Sequence, residues 1–318
     1  MRHRFTARTY SRGPNARSGR SAGPARGSRA WDRACGAPTP RAATRPFVAM
    51  TMALASALVL TPGAVESQAP AAAAQAYTPP RTPNGQPDLQ GIWQVVNAAA
   101  SNLEDHSPSL GMPGGYGVVD GGRIPYLAPA LAKRKENFDK RATVDPEVNC
   151  YLPGVPRATY TPFPFQILQF PDQVTIVYEY LGITRSIFLS GKHPDPNVAD
   201  FWMGDSRGRW EGNTLVVDVA NFNDQTWFDR AGNFHSDALH VTERYTRTGP
   251  DHIAYEATIE DPEVFSRPWK ISMPLYRRQE RSLRLLEYEC YAYMEEEAGK
   301  GNLKLPWSQL EREGVPKK

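Results

Sequence analysis

The sequence predicts a mainly β protein, an antiparallel meander that closes into a barrel, with a Pro/Gly-rich N-terminal wrap and one or two short helices. Three observations carry this. From residue 166 onward, β-branched and aromatic runs, most of them six to nine residues long, follow one another with short turns between them. Within the runs, apolar and polar side chains alternate, as a sheet with one buried face requires. No long amphipathic helix separates the runs, so no βαβ unit is expected.

The elements follow in order. A first strand is expected over 91–97, after an irregular lead-in rich in Pro and Gly that continues to residue 165. Within that part only 128–139 (APALAKRKENFD) has helical composition. Strands are then expected over 166–170, 174–180, 183–189, 209–211 and 214–219, the last two joined by Gly212-Asn213, a tight-turn dipeptide. Further strands follow over 239–246, 253–259, 269–276 and 283–291. Leu215, Val217 and Val219 share one face, as do Tyr255, Ala257 and Ile259, and Trp269, Ile271, Met273 and Leu275. Nine or ten such strands most economically close on themselves, because closure removes exposed edges. Trp93, Trp202, Trp210, Trp227 and Trp269 either fill the core of this barrel or line a cavity in it.

Charge divides the 318 residues into a leader and a body. Residues 1–45 hold eleven Arg, no Lys and one acid, Asp32, whereas 77–318 carry a net charge of −6. The basic balance of the whole chain is therefore a property of the leader. An acidic body repels phosphate, which argues against nucleic acid as a partner. The run 47–60 (FVAMTMALASALVL) is uncharged and apolar, preceded by Arg41 and Arg45, and too short to span a bilayer. With Ala74-Gln75-Ala76 as a small-x-small exit, it reads as a secretory signal, and cleavage after Ala64 or Ala69 is an alternative. The Arg/Ser-rich residues upstream read as a start codon placed too early or as a transit-type leader. Residues 1–76 are thus expected to be leader, signal peptide and low-complexity linker, and 77–318 one β-rich domain without a transmembrane segment. A periplasmic or extracellular location follows.

Cysteine usage agrees with export. Cys35 lies in the leader, which leaves Cys150 and Cys290 as an even pair, expected to form a disulfide that closes a long loop.

Two resemblances can be set beside these readings. Gly91-Ile92-Trp93, opening the first strand, resembles the G-x-W start of lipocalins and related calycins, which implies a calycin-like barrel. RTPNGQPDLQGIW (81–93), CYLPGVPR (150–157), WMGDSRGRWEGNTLVVDVANFNDQTWFD (202–229), LHVTERYTRT (239–248) and RPWKISMPLYRR (267–278) resemble an uncharacterised family of exported bacterial β-rich proteins. That resemblance implies export and supplies no activity.

Chemical motifs are few. Gly204-Asp205-Ser206-Arg207-Gly208 satisfies G-x-S-x-G, with Asp218, Asp224, Asp229, His235 and His240 downstream. A nucleophile elbow needs a strand before it and a helix after it, whereas this run enters a hairpin. His235 and His240 lie five residues apart, followed by Glu243. That spacing converges on a metal only with help from elsewhere, such as His193 or Asp195, so no metal site and no cofactor are assigned. The Asn/Asp-rich run 221–224 lacks calcium-loop spacing and reads as Asx turns.

The best polar cluster is Trp202, Asp205, Arg209, Trp227, His235 and His240. The loops before 209 and after 219 flank one hairpin and should emerge at the same barrel end. Indoles beside charged groups at a barrel mouth suit the polar end of a small ligand, or a general acid and base. Three function classes stay open. The first is an exported barrel binding a small apolar or amphipathic molecule. The second is an enzyme, a hydrolase, isomerase or cyclase using Asp and His at the mouth. The third is a structural envelope protein. The leader generates the first prediction: the exported protein begins at or near Tyr77. N-terminal sequencing checks this, and an intact N-terminus on a cytoplasmic product would refute it.

Overall fold

The computed structural model describes residues 77–109 and 112–297. The leader, the signal segment and Cys35 lie outside the described residues. Nine strands form one closed barrel in sequence order: β1 (Gly91–Gln94), β2 (Phe165–Gln169), β3 (Gln173–Tyr178), β4 (Thr184–Phe188), β5 (Asp205–Glu211), β6 (Thr214–Ala220), β7 (His240–Gly249), β8 (His252–Glu260) and β9 (Trp269–Arg277). Closure is made by β1 against β9, with Trp93 opposite Arg277. No helix among the described residues is long and apolar enough to cross a membrane.

The mainly β closed barrel is the expected architecture, with two corrections. First, the meander is not wholly antiparallel. β4 pairs parallel with β5, Ile187 opposite Ser206 and Phe188 opposite Arg207. Parallel neighbours need a long crossover, and residues 189–204 supply it. β5 also begins at Asp205 rather than at 209, because the Gly-rich run is strand. A Cβ on inward-facing Gly208 would come within 2.7 Å of Ile187 and 3.0 Å of Leu189, so the missing side chain lets β4 approach. Second, 283–291 is not a strand. The barrel is already closed by β1, and no free edge awaits a tenth strand. The chain instead returns to Cys150, and the described residues finish with helix α3 (Cys290–Glu297).

Helix α1 (Ala128–Val144) runs a turn and more past its expected end. Exposed pairs of Lys135 with Asp139 and Lys140 with Glu136, four residues apart, extend it. Asp145-Pro146 stops it, since a residue before proline is steered out of the helical region. A one-turn helix, α2 (Arg157–Tyr160), follows the cis peptide Val155–Pro156.

The inward faces fill the barrel. Trp93, Phe165, Ile176, Tyr178, Leu215, Val217, Tyr245, Tyr255, Ile271 and Leu275 are almost wholly buried. Among them lies a charged pair. Arg185 on β4 meets Glu243 on β7 through Nη2 at 2.5 Å and Nη1 at 3.2 Å. Its Nε donates to Ser206 Oγ at 3.0 Å, and Tyr245 and Tyr255 both donate to Glu243 Oε1, at 3.0 and 2.8 Å. Each nitrogen of the guanidinium and each oxygen of the carboxylate thus has a partner, the condition on which a buried charge survives.

The two barrel ends are closed differently. At the end holding the Gly212-Asn213 turn, Arg247 donates to the carbonyls of Asp88, Gly249 and Pro250, and the Arg277 guanidinium lies 4.5 Å from the Trp93 ring. The other end carries the long connections 95–164, 221–239 and 261–268 as a cap.

Removing Glu243 alone leaves a buried guanidinium without its counter-charge. Glu243→Ala is expected to lower unfolding free energy by about 3–5 kcal/mol, and Arg185→Met with Glu243→Leu by clearly less. Urea denaturation measures both. A single-variant cost below about 1 kcal/mol would show that the pair does not hold the core.

Candidate functional site

The cap is built on a second buried charge cluster. Arg157, 1% exposed, donates to both oxygens of Asp145 at 2.8 and 3.0 Å and to Glu147 at 2.6 Å. Arg230 grips Glu147 from the 221–239 loop, through Nε at 2.9 Å and Nη2 at 2.7 Å. The same loop is anchored by Asp229, which accepts from the backbone N–H groups of Leu103, Ala231 and Asn233 and from the Asn233 amide. Burial outweighs these donors and raises the Asp229 carboxyl to about 6. The Cys150–Cys290 disulfide, with Cα atoms 5.7 Å apart, fastens the C-terminal segment to this cap. It joins residues 140 apart, which in the chain-entropy account is worth roughly 5 kcal/mol against the unfolded chain.

The six site residues read from the sequence are dispersed within and beside this cap. Asp205 starts β5, and His240 starts β7 at the same end of the barrel. Arg209 lies four residues further along β5, exposed and paired with Glu211 at 2.8 Å, away from the others. His235 is 2% exposed and makes its contacts inside the cap. Its Nδ1 faces the Ser236 carbonyl at 2.8 Å, so it carries the proton, and Nε2 accepts from the Thr226 hydroxyl at 2.6 Å. Burial lowers its pKa and keeps the ring neutral. Gly154 packs so tightly on Thr226 that a Cβ there would strike the hydroxyl. Trp227 bridges to Phe234 within the loop, and Trp202 lies beside Tyr151, with ring centroids 5.4 Å apart and planes at 63°.

What gathers around Asp205 is a chain of ionic contacts on the outer barrel wall. Asp205 accepts from Arg207 through Nε at 2.7 Å and Nη2 at 3.0 Å. His193 Nδ1 lies 2.7 Å from Asp205 and its Nε2 3.1 Å from Asp218, which reaches His240 Nε2 at 2.5 Å. An imidazolium donates to both carboxylates, whereas a neutral ring donates to one. His193 comes from the crossover, so the contacts clasp that connection onto β5, β6 and β7. No group of three or more His, Cys, Asp or Glu side chains among the described residues is arranged to hold a metal. Ser206 of the G-x-S-x-G run points into the barrel and is held by Arg185, which removes it as a nucleophile.

Space for a ligand lies at the disulfide instead. A cleft of roughly 340 Å³ is walled by Tyr151, Leu152, Leu181, Trp202, Tyr288 and Tyr291, with Cys150 and Cys290 between them. Across the disulfide a second cleft of roughly 300 Å³ is lined by Glu147, Tyr180, Arg230, Tyr293 and Met294, and shares Cys150, Tyr288 and Cys290 with the first. A cleft of roughly 410 Å³ beside α1 is bordered by Asp139, Asp145 and Arg230, whose charges are spent on Lys135, Arg157 and Glu147. None of these clefts is lined by His193, Asp218 or His240. Of the six residues read from the sequence, only Trp202 reaches the aromatic cleft. An aromatic residue directly after each half-cystine, Tyr151 and Tyr291, is the sequence signal for it.

No family model matches the chain, and no curated protein does. Among solved structures, the chain is similar to the crystal structure of a point mutant of the fluorescent protein UnaG. The match has 12% identity and a TM-score of 0.29, and covers 60% of this chain and 97% of that one. So slight a similarity carries no argument about function.

The state of His235 has a pH signature. Its folded pKa is depressed, so the stability it contributes is present above the ordinary imidazole range and is lost as pH falls through it. His235→Asn, which keeps a donor for the Ser236 carbonyl, should lose less stability than the wild type between pH 7.5 and 5.5. Urea titrations at the two pH values read this, and equal losses would contradict a buried neutral imidazole.

Proposed function

We propose that the protein is an exported binding protein for a small amphipathic molecule, with the aromatic cleft at the Cys150–Cys290 disulfide as its site. The barrel acts as scaffold rather than container, since its interior is occupied by its own side chains. The observation that carries the reading is the cleft's wall. Trp202, Tyr151, Tyr288 and Tyr291 with two leucines offer apolar faces and polar edges in a volume within the range of small-molecule sites. Export is supported by the basic flank, apolar run and small-residue exit of the leader, by the resemblance to exported β-rich proteins, and by the disulfide. Residues 77–318 act in this reading as one domain.

An enzymatic reading draws on the Asp218–His240 contact as a general base. It is the weaker one, because the pair sits on the outer wall with no cleft of those described beside it.

Equilibrium dialysis against naphthalene tests the site with a plain ring. The expected result is one bound equivalent. Trp202→Ala should weaken binding about tenfold, as loss of one aromatic wall does, without lowering the melting temperature of the barrel. Absence of binding, or equal affinity in the variant, would overturn the assignment.

A further inference from the structure

The wall of the Trp202 cleft selects its occupant by more than size. Tyr151, Trp202, Tyr288 and Tyr291 line it, against two leucines. Tyr151 and Tyr291 are 47% and 55% exposed, so the protein's own packing leaves much of each uncovered. Aliphatic walls would receive a neutral apolar molecule as well. What aromatic rings add is the negative face of the π system, which attracts a cation. The planes of Tyr151 and Trp202 are inclined at 63°. A flat ring stacks on one of two such faces at a time, whereas a rounded tetrahedral head has no plane to align.

Charge points the same way. Among the described residues that line this cleft Glu289 alone is charged, and it is exposed, with no basic side chain paired to its carboxylate. The acids beside the neighbouring clefts are already spent, Glu147 on Arg157 and Arg230, and Asp145 on Arg157. No Lys or Arg is in the described lining, so an anion would find no counter-charge there. Residues 77–318 carry a net charge of −6, and the field of such a body draws cations toward its surface.

We propose that the ligand is an organic cation, an alkylated ammonium whose head is held by the aromatic side chains of the Trp202 cleft beside Glu289. This rests on the cleft reading above and names its chemical class. Every group it invokes lines the same cleft. A quaternary ammonium suits the rings better than a primary one, because its charge is spread over methyl groups that make the contact and hold water weakly. The rings select the charged head, and the two leucines receive the apolar remainder of an amphipathic molecule.

The test compares phenyltrimethylammonium with tert-butylbenzene, a charged and a neutral probe of one shape, on the full exported protein by equilibrium dialysis. The wild type should bind the cation about two- to fivefold more tightly, the yield of one cation–π contact at a partly exposed site. Glu289→Gln should weaken the cation about twofold and leave tert-butylbenzene unchanged, and high salt should do the same. Trp202→Leu, which keeps the wall apolar and removes its π face, should weaken the cation more than the neutral probe. Equal or tighter binding of tert-butylbenzene by the wild type, or a preference for the cation that both variants leave unchanged, overturns the cation assignment and leaves the cleft standing. So does binding of naphthalene with neither of the two probes. Failure of all three to bind overturns the cleft and the assignment together.

Discussion

A charged pair at the centre of the barrel governs much else in this protein. Arg185 and Glu243 come from β4 and β7, on opposite sides of the parallel β4–β5 junction, and Ser206, Tyr245 and Tyr255 complete their hydrogen bonds. Two desolvated charges are tolerable only if nothing in this set is missing. The interior is therefore committed: the side chains that satisfy the pair occupy the volume a barrel of this size would offer a ligand. The same set ties β4, β5, β7 and β8 together, across a neighbouring pair that shares only two register partners.

The cap repeats this logic at the barrel's end. Arg157 draws Asp145 and Glu147 inward, and Glu147 passes the connection to Arg230 on a loop remote in sequence. Neutralised in this way, the cluster supports the segment that carries Cys150. The disulfide then brings residues 278–297 back along the barrel, where Arg278 donates to the Ile92 carbonyl and the Leu286 N–H to Glu179. The clefts are the seam between this returning strap and the cap. Glu147 and Arg230 of the polar cluster line the second, and Tyr151, Trp202, Tyr288 and Tyr291 wall the first.

Alternation made most of the barrel legible from sequence. Leu215, Val217 and Val219, and Trp269 to Leu275, face inward as their spacing requires. The same rule carried a signal of the central pair. Arg185 falls in phase with Ile183 and Ile187, and Glu243 with Val241 and Tyr245, a charge on the apolar phase of two strands. What local pattern cannot convey is which edge is free. Residues 283–291 have strand composition, and they stay out of the sheet because β1 and β9 have already met. Nor does proximity in sequence carry over into space for His235 and His240. The first is wrapped in a buried loop against Phe222 and Phe228, and the second is on the outer wall with Asp218. His193, distant in sequence, is the residue that joins Asp205 to Asp218, because the parallel crossover lays its turn across β5 and β6.

The placement of the clefts also links location to function. Both are lined by the two half-cystines themselves, and Tyr151 and Tyr291 are their immediate neighbours. A wall made of two chain segments 140 residues apart exists only while those segments are joined. In a reducing compartment the strap would be held by Tyr288 ring contacts and a few hydrogen bonds, each worth about 1 kcal/mol. The barrel's closure and its central ion pair involve neither cysteine, so reduction would take from the barrel only the chain-entropy contribution of the closed loop. From the proposed site it would also take the covalent tie between its two walls.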